Sequence, residues 1–274
     1  MTLAEPAPLK PWMRKEIRAA ADGNAGSEEG TLTALAELSR GHKNYFDTDF
    51  VLANQVIVRQ AGRDMHFPRP LNRENHRTIL TGYLEVLHGK YQKPGFCEVR
   101  PGDTVIDCGA YVGGFARSVA PIAGRLVLIE PAPANLGCCI ANLSAFAHAR
   151  VVQAGLFNTS GTFELQLSDR DVDHSLLAPD RGATGETLTV PTYRLEDLAT
   201  SLGLDQIDFF KLEAEGAEIE AIDGMGPLRP RNIAIDAGPE RYGESPAPEL
   251  TRMLIARGYE VAQTGNTLFA RLVA

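Results

Sequence analysis

The sequence predicts an α/β fold: a mainly parallel, doubly wound, Rossmann-like sheet of seven strands that ends in an antiparallel hairpin, with a helical N-terminal extension. Three observations predict it. From residue 104 onward, short apolar runs alternate with stretches of helical periodicity, the pattern of βα units. Glycines follow the first of these runs at once, in Cys108-Gly109-Ala110-Tyr111-Val112-Gly113-Gly114, where a parallel strand must turn tightly into a helix. The last two runs are joined only by Thr264–Thr267, too short for a crossover helix, so they must pair antiparallel.

The elements follow in order. Residues 1 to about 50 read as helix and loop, with an apolar stripe at Leu32, Leu35, Ala36 and Leu38 after Gly23, Gly26 and Gly30. Val51, Val56, Ile57 and Val58, then Met65 and Phe67 beyond Gly62, read as a hairpin over 51–67. Ile79, Leu80, Tyr83, Leu84 and Leu87 share one face of a helix over 72–92. Pro94, Gly95, Pro101 and Gly102 then punctuate the chain. The boundary is set there, giving an extension at 1–94 that covers the substrate or makes an oligomer, and a core domain at 95–274. Within the core the strands are 104–108, 125–130, 151–154, 207–212, 233–236, 259–263 and 268–272, with an extra strand at 163–167. The helices between them carry Phe115, Val119 and Ile122; Leu136, Ile140 and Leu143; Ile219 and Ile222; and Leu250, Met253 and Leu254, the last ending at Gly258.

Composition narrows the function classes. With 44% hydrophobic and 23% charged residues the chain is of ordinary globular make-up. A formal net charge of −8 argues against a nucleic-acid partner, because phosphate binding needs a basic footprint. No apolar run reaches the roughly 20 residues of a membrane span, and residues 1–18 lack a secretory apolar segment. Cys97, Cys108, Cys138 and Cys139 form no C-x-x-C pair, and reduced thiols in a cytoplasmic protein are the expectation. No His or Cys cluster suggests a structural metal, and a carboxylate-bound Mg²⁺ stays open.

The chemistry concentrates at the first strand. Asp107 sits near its carboxyl end, in Val105-Ile106-Asp107-Cys108-Gly109, and the second strand ends in Ile129-Glu130-Pro131. In an open α/β sheet ligands bind beyond the strand carboxyl ends, and an acidic residue about 20 positions after the glycine turn accepts both hydroxyls of a ribose. A dinucleotide fingerprint needs G-x-G-x-x-G, but Tyr111 holds the second glycine position, where a pyrophosphate needs bare backbone. S-adenosylmethionine has no phosphate, and its cationic methionine end suits Asp107, while the N–H groups of the glycine loop suit its carboxylate. The bland alternative for each acid is a turn cap or a surface residue.

A second block lies downstream. Val190-Pro191-Thr192-Tyr193-Arg194-Leu195-Glu196-Asp197-Leu198 precedes Lys211-Leu212-Glu213-Ala214-Glu215-Gly216-Ala217-Glu218. Together with Gly102-Asp103-Thr104-Val105-Ile106-Asp107-Cys108-Gly109-Ala110, this resembles the FkbM-type methyltransferases over roughly residues 95–272. The resemblance implies the class I methyltransferase fold, S-adenosyl-L-methionine as cofactor, and O-methylation of hydroxyls on sugars or secondary metabolites. Glu213 stands where that family usually has Asp, one methylene shorter. The cofactor set expected is Tyr91, Asp107, Gly109, Ala110, Tyr111, Gly113, Glu130, Pro131, Asn135, Leu156, Phe157 and Glu213, with Leu156 and Phe157 where the family places its adenine contacts.

The catalytic candidates are His174, Glu213 and Asp236. His174 lies in the polar loop Asp173-His174-Ser175 and titrates near neutrality, as a general base would. Glu213 leaves the fourth strand at its carboxyl end, and Glu215 reads rather as a first-turn carboxylate. Asp236 ends the fifth strand, facing the same crevice, where it binds the acceptor or caps the following turn. His88 and Tyr91 stand ready to cover the cofactor. The expected partner is a small-molecule acceptor, in a monomer or homodimer. An amine acceptor such as an amino sugar, a non-catalytic binding module and a dehydrogenase are the competing readings.

Overall fold

The computed structural model describes residues 10–23, 26–179 and 181–273. The chain divides into two units, Met1–Gly89 and Lys90–Ala274.

The first unit holds helices α1 (Pro11–Asp22) and α2 (Glu28–Ser39), strands β1 (Thr48–Leu52), β2 (Val56–Gln60) and β3 (Arg63–Phe67), and helices α3 (Arg73–Leu80) and α4 (Tyr83–Lys90), the last ending at the first residue of the second unit. Pro11 opens α1, and the Ser27 hydroxyl accepts from Gly30 N to cap α2. The hairpin expected over 51–67 is the pair β2–β3. Its turn at Ala61 and Gly62 has positive φ at both residues, the twist that a tight hairpin needs. The sheet has a third strand, β1, where sequence gave only Val51 and no alternation to follow. The single helix expected over 72–92 is two. Gly82 takes φ +95° between them, a left-handed conformation that neither helix can continue through, and a side chain there would meet Phe46 Cε2 at 2.6 Å, so the position needs glycine.

The second unit runs β4 (Thr104–Cys108), α5 (Gly114–Val119), β5 (Arg125–Ile129), α6 (Pro133–Leu143), β6 (Ala149–Val152), β7 (Gly155–Leu156), β8 (Gly161–Ser168), β9 (Ala183–Tyr193), α7 (Leu195–Leu202), β10 (Phe209–Leu212), α8 (Glu218–Asp223), β11 (Asn232–Asp236), α9 (Ala247–Ala256), β12 (Tyr259–Thr264) and β13 (Thr267–Leu272). Seven strands form one sheet in the order β12-β13-β11-β10-β4-β5-β6. All neighbours are parallel except those of β13, which is antiparallel to both β11 and β12. This is the Rossmann-like sheet with a terminal antiparallel hairpin that the alternation and the four-residue link imply. The third strand lies two residues earlier than expected, and the segment after it joins a separate sheet, β7-β9-β8. There the extra strand pairs with the long β9, whose polar Thr-rich half hides its strand character from a hydrophobic pattern.

The central strands are buried on both faces. Ile106, Cys108, Phe210, Leu212, Ile233 and Ile235 face one core, packed with Leu195, Leu198, Leu250 and Leu254 of α7 and α9. Alternation sends Val105, Asp107, Phe209 and Lys211 to the other face. Two residues of the expected helix stripes, Ile122 and Ile140, instead lie exposed.

The tips of β4 and β10 approach closely. Gly109 has φ +65°, and a Cβ there would lie 1.5 Å from the Glu213 carbonyl oxygen, a backbone atom that has no freedom to move aside. Gly102, at φ +87°, faces open space. We predict that Gly109→Ala costs about 3–5 kcal/mol, at the upper end of single-site effects. Gly102→Ala should cost only the left-handed strain of about 1–2 kcal/mol. Urea unfolding midpoints of the two variants check the contrast.

Candidate active site

Lys211 stands opposite Asp107 in the parallel β4–β10 register, on the same sheet face. Its ammonium donates to the carbonyls of Gly109 at 2.7 Å and Cys108 at 3.2 Å, and lies 3.1 Å from Asp107 Oδ1 and 3.3 Å from Glu213 Oε2. The contact with Asp107 Oδ1 is an ion pair without hydrogen-bond geometry. Asp107 Oδ2 accepts from Ala116 N at 3.1 Å, capping α5 in place of Gly113, which has no side chain to offer. Burial raises the Asp107 pKa, and Lys211 opposes the rise. Asp107 is therefore an internal group, 1% exposed and already paired, and not the free partner for a cationic ligand that the sequence suggested.

Glu213 follows β10 and extends the same row. Lys90 Nζ lies 2.7 Å from Glu213 Oε1 and 2.6 Å from Asp236 Oδ2, at the tips of β10 and β11. Asp236 Oδ1 accepts from Gly238 N at 3.2 Å. Asp107, Lys211, Glu213, Lys90 and Asp236 thus alternate in sign across three adjacent strands. Burial works against Glu213, but Lys90 and Lys211 hold its carboxyl well below the usual range. Burial and the nearby Glu213 raise Asp236, against Lys90. The two lysine ammoniums lie 4.8 and 5.1 Å from the Tyr91 ring centroid.

On the other side of β4, Glu130 ties two loops together. Its Oε2 accepts from Tyr111 N at 2.9 Å, and its Oε1 accepts from Ala132 N at 3.0 Å and Asn135 Nδ2 at 3.3 Å. Burial pushes the Glu130 carboxyl up to about 7, against these three donors. Asn135 Nδ2 also donates to the Asp171 carbonyl at 2.9 Å, while Asn135 Oδ1 is buried with no hydrogen-bond partner among the described residues. Tyr111 takes the left-handed φ of +52° that its glycine-like position demands, and its hydroxyl donates to Asp171 Oδ2 at 2.7 Å. The N–H groups of Gly109 and Ala110 both bond the Ile129 carbonyl, so these two of the glycine-loop amides are already used within the fold. Gly113 packs its bare Cα against Leu143 and Leu128, which lets α5 start on the sheet.

The remaining candidates disperse. Leu156 is 1% exposed in the main core, and Phe157 packs its ring on Phe163 at 4.7 Å. Pro131 begins the turn into α6, its carbonyl accepting from Gln153. Tyr91 is fully buried against Phe115, so it underlies the ion-pair row instead of covering a ligand. His174 Nδ1 accepts from Ser168 N at 3.1 Å. In the neutral ring the proton then sits on Nε2, which leaves no lone pair for a base, and burial lowers its pKa further. Glu215 takes φ +48°, so the chain has left the extended form, and it does not continue the row of Lys211 and Glu213.

The methyltransferase FkbM domain family matches residues 107–261 of this chain, a span that holds the Asp107, Glu130, Lys211, Glu213 and Asp236 tips together. The chain belongs to this family. S-adenosyl-L-methionine is the cofactor of this FkbM methyltransferase domain. Among solved structures, the chain is similar to a methyltransferase FkbM from Methylobacillus flagellatus KT, with 16% identity and a TM-score of 0.49 over 73% of this chain and 52% of that one. It thus spans about half the length of that relative. A precorrin-6y C5,15-methyltransferase from Geobacter metallireducens GS-15 gives 14% identity and a TM-score of 0.44 over 76% and 94% of the two chains. No curated protein matches the chain.

Two site residues escaped the sequence reading. Lys211 carried a usable signal: a lysine in the apolar run Phe209-Phe210-Lys211-Leu212 has to be buried, and a buried lysine has to be paired. Lys90 had none, since a lysine at a helix end is ordinary. We predict that Lys211→Met costs about 3–5 kcal/mol at neutral pH, because it leaves Asp107 buried without its cation. The loss should shrink as pH falls toward the raised Asp107 pKa, since protonation then removes the charge. Denaturation curves across pH check both the size and the sign.

Proposed function

We propose that this FkbM-family domain transfers a methyl group from S-adenosyl-L-methionine to a hydroxyl of a small molecule such as a sugar or secondary metabolite. When bound, the cofactor supplies an electrophilic methyl on a sulfonium sulfur that leaves as a neutral thioether.

The residues present fit that group. Glu130 has three protein donors on a carboxylate with roughly four acceptor positions, which leaves about one for a ribose hydroxyl. The unpartnered Asn135 Oδ1 beside it offers a second acceptor. Acceptors suit a nucleoside, and the Tyr111 side chain at the second glycine position stands against a pyrophosphate. We assign the nucleoside to Glu130, Asn135 and the Tyr111 turn, and Asp107 acts through the turn it caps.

The observation that carries the hydroxyl reading is Asp236. An alcohol needs a base, whereas an amine needs only to lose its proton beforehand. Asp236 is a carboxylate of raised pKa at the strand tip beside Glu213, held in place by Lys90 and Gly238 N. It takes the hydroxyl proton while the oxygen lone pair forms the new bond to carbon. Methyl transfer from such a base rises with pH through the Asp236 pKa, because only the ionised form accepts a proton.

An amine acceptor is the second reading, favoured by Glu215 and Glu240. Burial raises both carboxyls, with Glu240 and Glu213 adding to the rise of Glu215, and Asp236 and Glu213 adding to that of Glu240, which reaches about 9; Glu240 Oε2 is buried without a hydrogen-bond partner among the described residues. A cationic acceptor would relieve both groups.

Two measurements test these assignments. Calorimetry with S-adenosylhomocysteine should show affinity rising with pH through about 7, as Glu130 ionises to accept the ribose hydroxyl. Glu130→Gln should remove that pH dependence, and Glu130→Ala should weaken binding roughly tenfold or more, the loss of one charged hydrogen bond. Unchanged affinity in both variants would remove the nucleoside assignment. Asp236→Asn should lower turnover about 10²–10⁴-fold, the usual contribution of a general base, with cofactor affinity preserved. Retained turnover with an N-methyl product would transfer the assignment to the amine.

A further inference from the structure

The site contains two buried or half-buried lysines, and they differ in what they have left to give. Every direction around Lys211 Nζ is taken by Gly109 O, Cys108 O, Asp107 and Glu213, and its side chain is 3% exposed. Lys90 Nζ makes two short contacts, at 2.7 Å to Glu213 Oε1 and 2.6 Å to Asp236 Oδ2, and keeps 31% of its side chain exposed. An ammonium has three N–H groups, so one remains.

The position it fills is unusual. Two carboxylates from the tips of adjacent parallel strands converge on one point at the ligand-binding edge of the sheet. Left alone, they would repel each other or gather a hard cation through their oxygens. Among the described residues no three His, Cys, Asp or Glu side chains converge as a metal-binding group. The charge that balances the pair is supplied by the chain.

We propose that Lys90 is the resident cation of the reaction centre, filling the place where Glu213 and Asp236 would otherwise collect a divalent metal ion and giving its remaining N–H to the acceptor oxygen. The second half rests on the hydroxyl reading above. Burial works against the Lys90 charge, but Glu213 and Asp236 overcome it and hold its pKa above the ordinary lysine value, so it serves as a donor and not as a base. The acceptor hydroxyl then sits between the Lys90 N–H and the Asp236 carboxylate. Its proton passes to Asp236, and the ammonium stabilises the negative charge that grows on oxygen until the carbon–oxygen bond is made. Lys90 thereby also sets the orientation of Asp236, which a free aspartate would not have.

The test needs no knowledge of the acceptor. Mn²⁺ is titrated into the purified full chain and followed by electron paramagnetic resonance, for wild type, Lys90→Ala and Lys90→Met, the last keeping the aliphatic stem. The variants should bind one Mn²⁺ at least roughly tenfold more tightly than wild type, and Asp236→Asn added to Lys90→Ala should abolish the gain. Turnover is followed as transfer of label from methyl-tritiated S-adenosylmethionine into a small-molecule extract of the native host. Wild-type transfer should be indifferent to EDTA, Lys90→Ala should lose about 10²–10³-fold, and Mg²⁺ should restore part of the loss. Lys90→Arg should keep more activity than Lys90→Met. Mn²⁺ binding no tighter in the lysine variants than in wild type would overturn the proposal. So would wild-type transfer that EDTA abolishes and Mg²⁺ returns, a result that does not depend on any variant folding. Absence of transfer in every sample would count against the hydroxyl-methylation reading, while the Mn²⁺ comparison still decides the cation site.

Discussion

The Lys211–Asp107 pair fixes the rest of the site. Parallel register brings the two side chains to the same sheet face, and the pair can exist only because both are held there by more than each other. A buried ion pair by itself returns little or nothing after desolvation. Here Lys211 also donates to the two carbonyls that close β4, and Asp107 also caps α5. One pair therefore joins two strand tips, the glycine turn and the start of a helix. What it contributes is geometry: Gly109 is pressed against the Glu213 carbonyl, and everything beyond those two residues is placed relative to that contact.

Much of this fold can be read from sequence because its signals are local. The seven-strand sheet follows from alternating apolar runs, and the terminal hairpin follows from a link too short to cross over. The errors fell where tertiary contact overrides pattern. Gly82 splits a stretch of good helical periodicity through its φ of +95°, and Phe46, 36 residues away, fills the space a side chain there would need, a contact that no window can register. The polar half of β9 is a strand because β8 lies beside it, not because of its own alternation.

The site was legible by position and less so by role. Asp107, Glu130, Glu213 and Asp236 were singled out because strand ends in this architecture point at ligands, and all four do lie at such ends. Their partners could not be inferred. A sequence shows that Asp107 is acidic but not that a lysine on another strand has already neutralised it. Nor does it show that the Gly109 and Ala110 amides are spent on Ile129, or that Ser168 fixes the His174 tautomer. Burial and pairing decide whether a residue serves a ligand or the fold, and both are properties of the assembled chain.

The glutamate at position 213 shows how one methylene can be put to use. Its two carboxylate oxygens reach different lysines, Oε1 to Lys90 at 2.7 Å and Oε2 to Lys211 at 3.3 Å. The FkbM-type pattern usually carries aspartate here. From the same Cα an aspartate carboxyl would end one carbon nearer the strand, with less reach for two lysines on different segments. The longer side chain is therefore the link that extends the charged row from the interior of β4 and β10 out to Asp236, from groups that hold the fold to groups that face the crevice. Its carboxyl, kept ionised by both lysines, is the only member of the row that touches two cations on different segments. That makes the exchange of one acid for another at this position a change in where the row of charge ends, which a comparison of residue types alone would pass over as conservative.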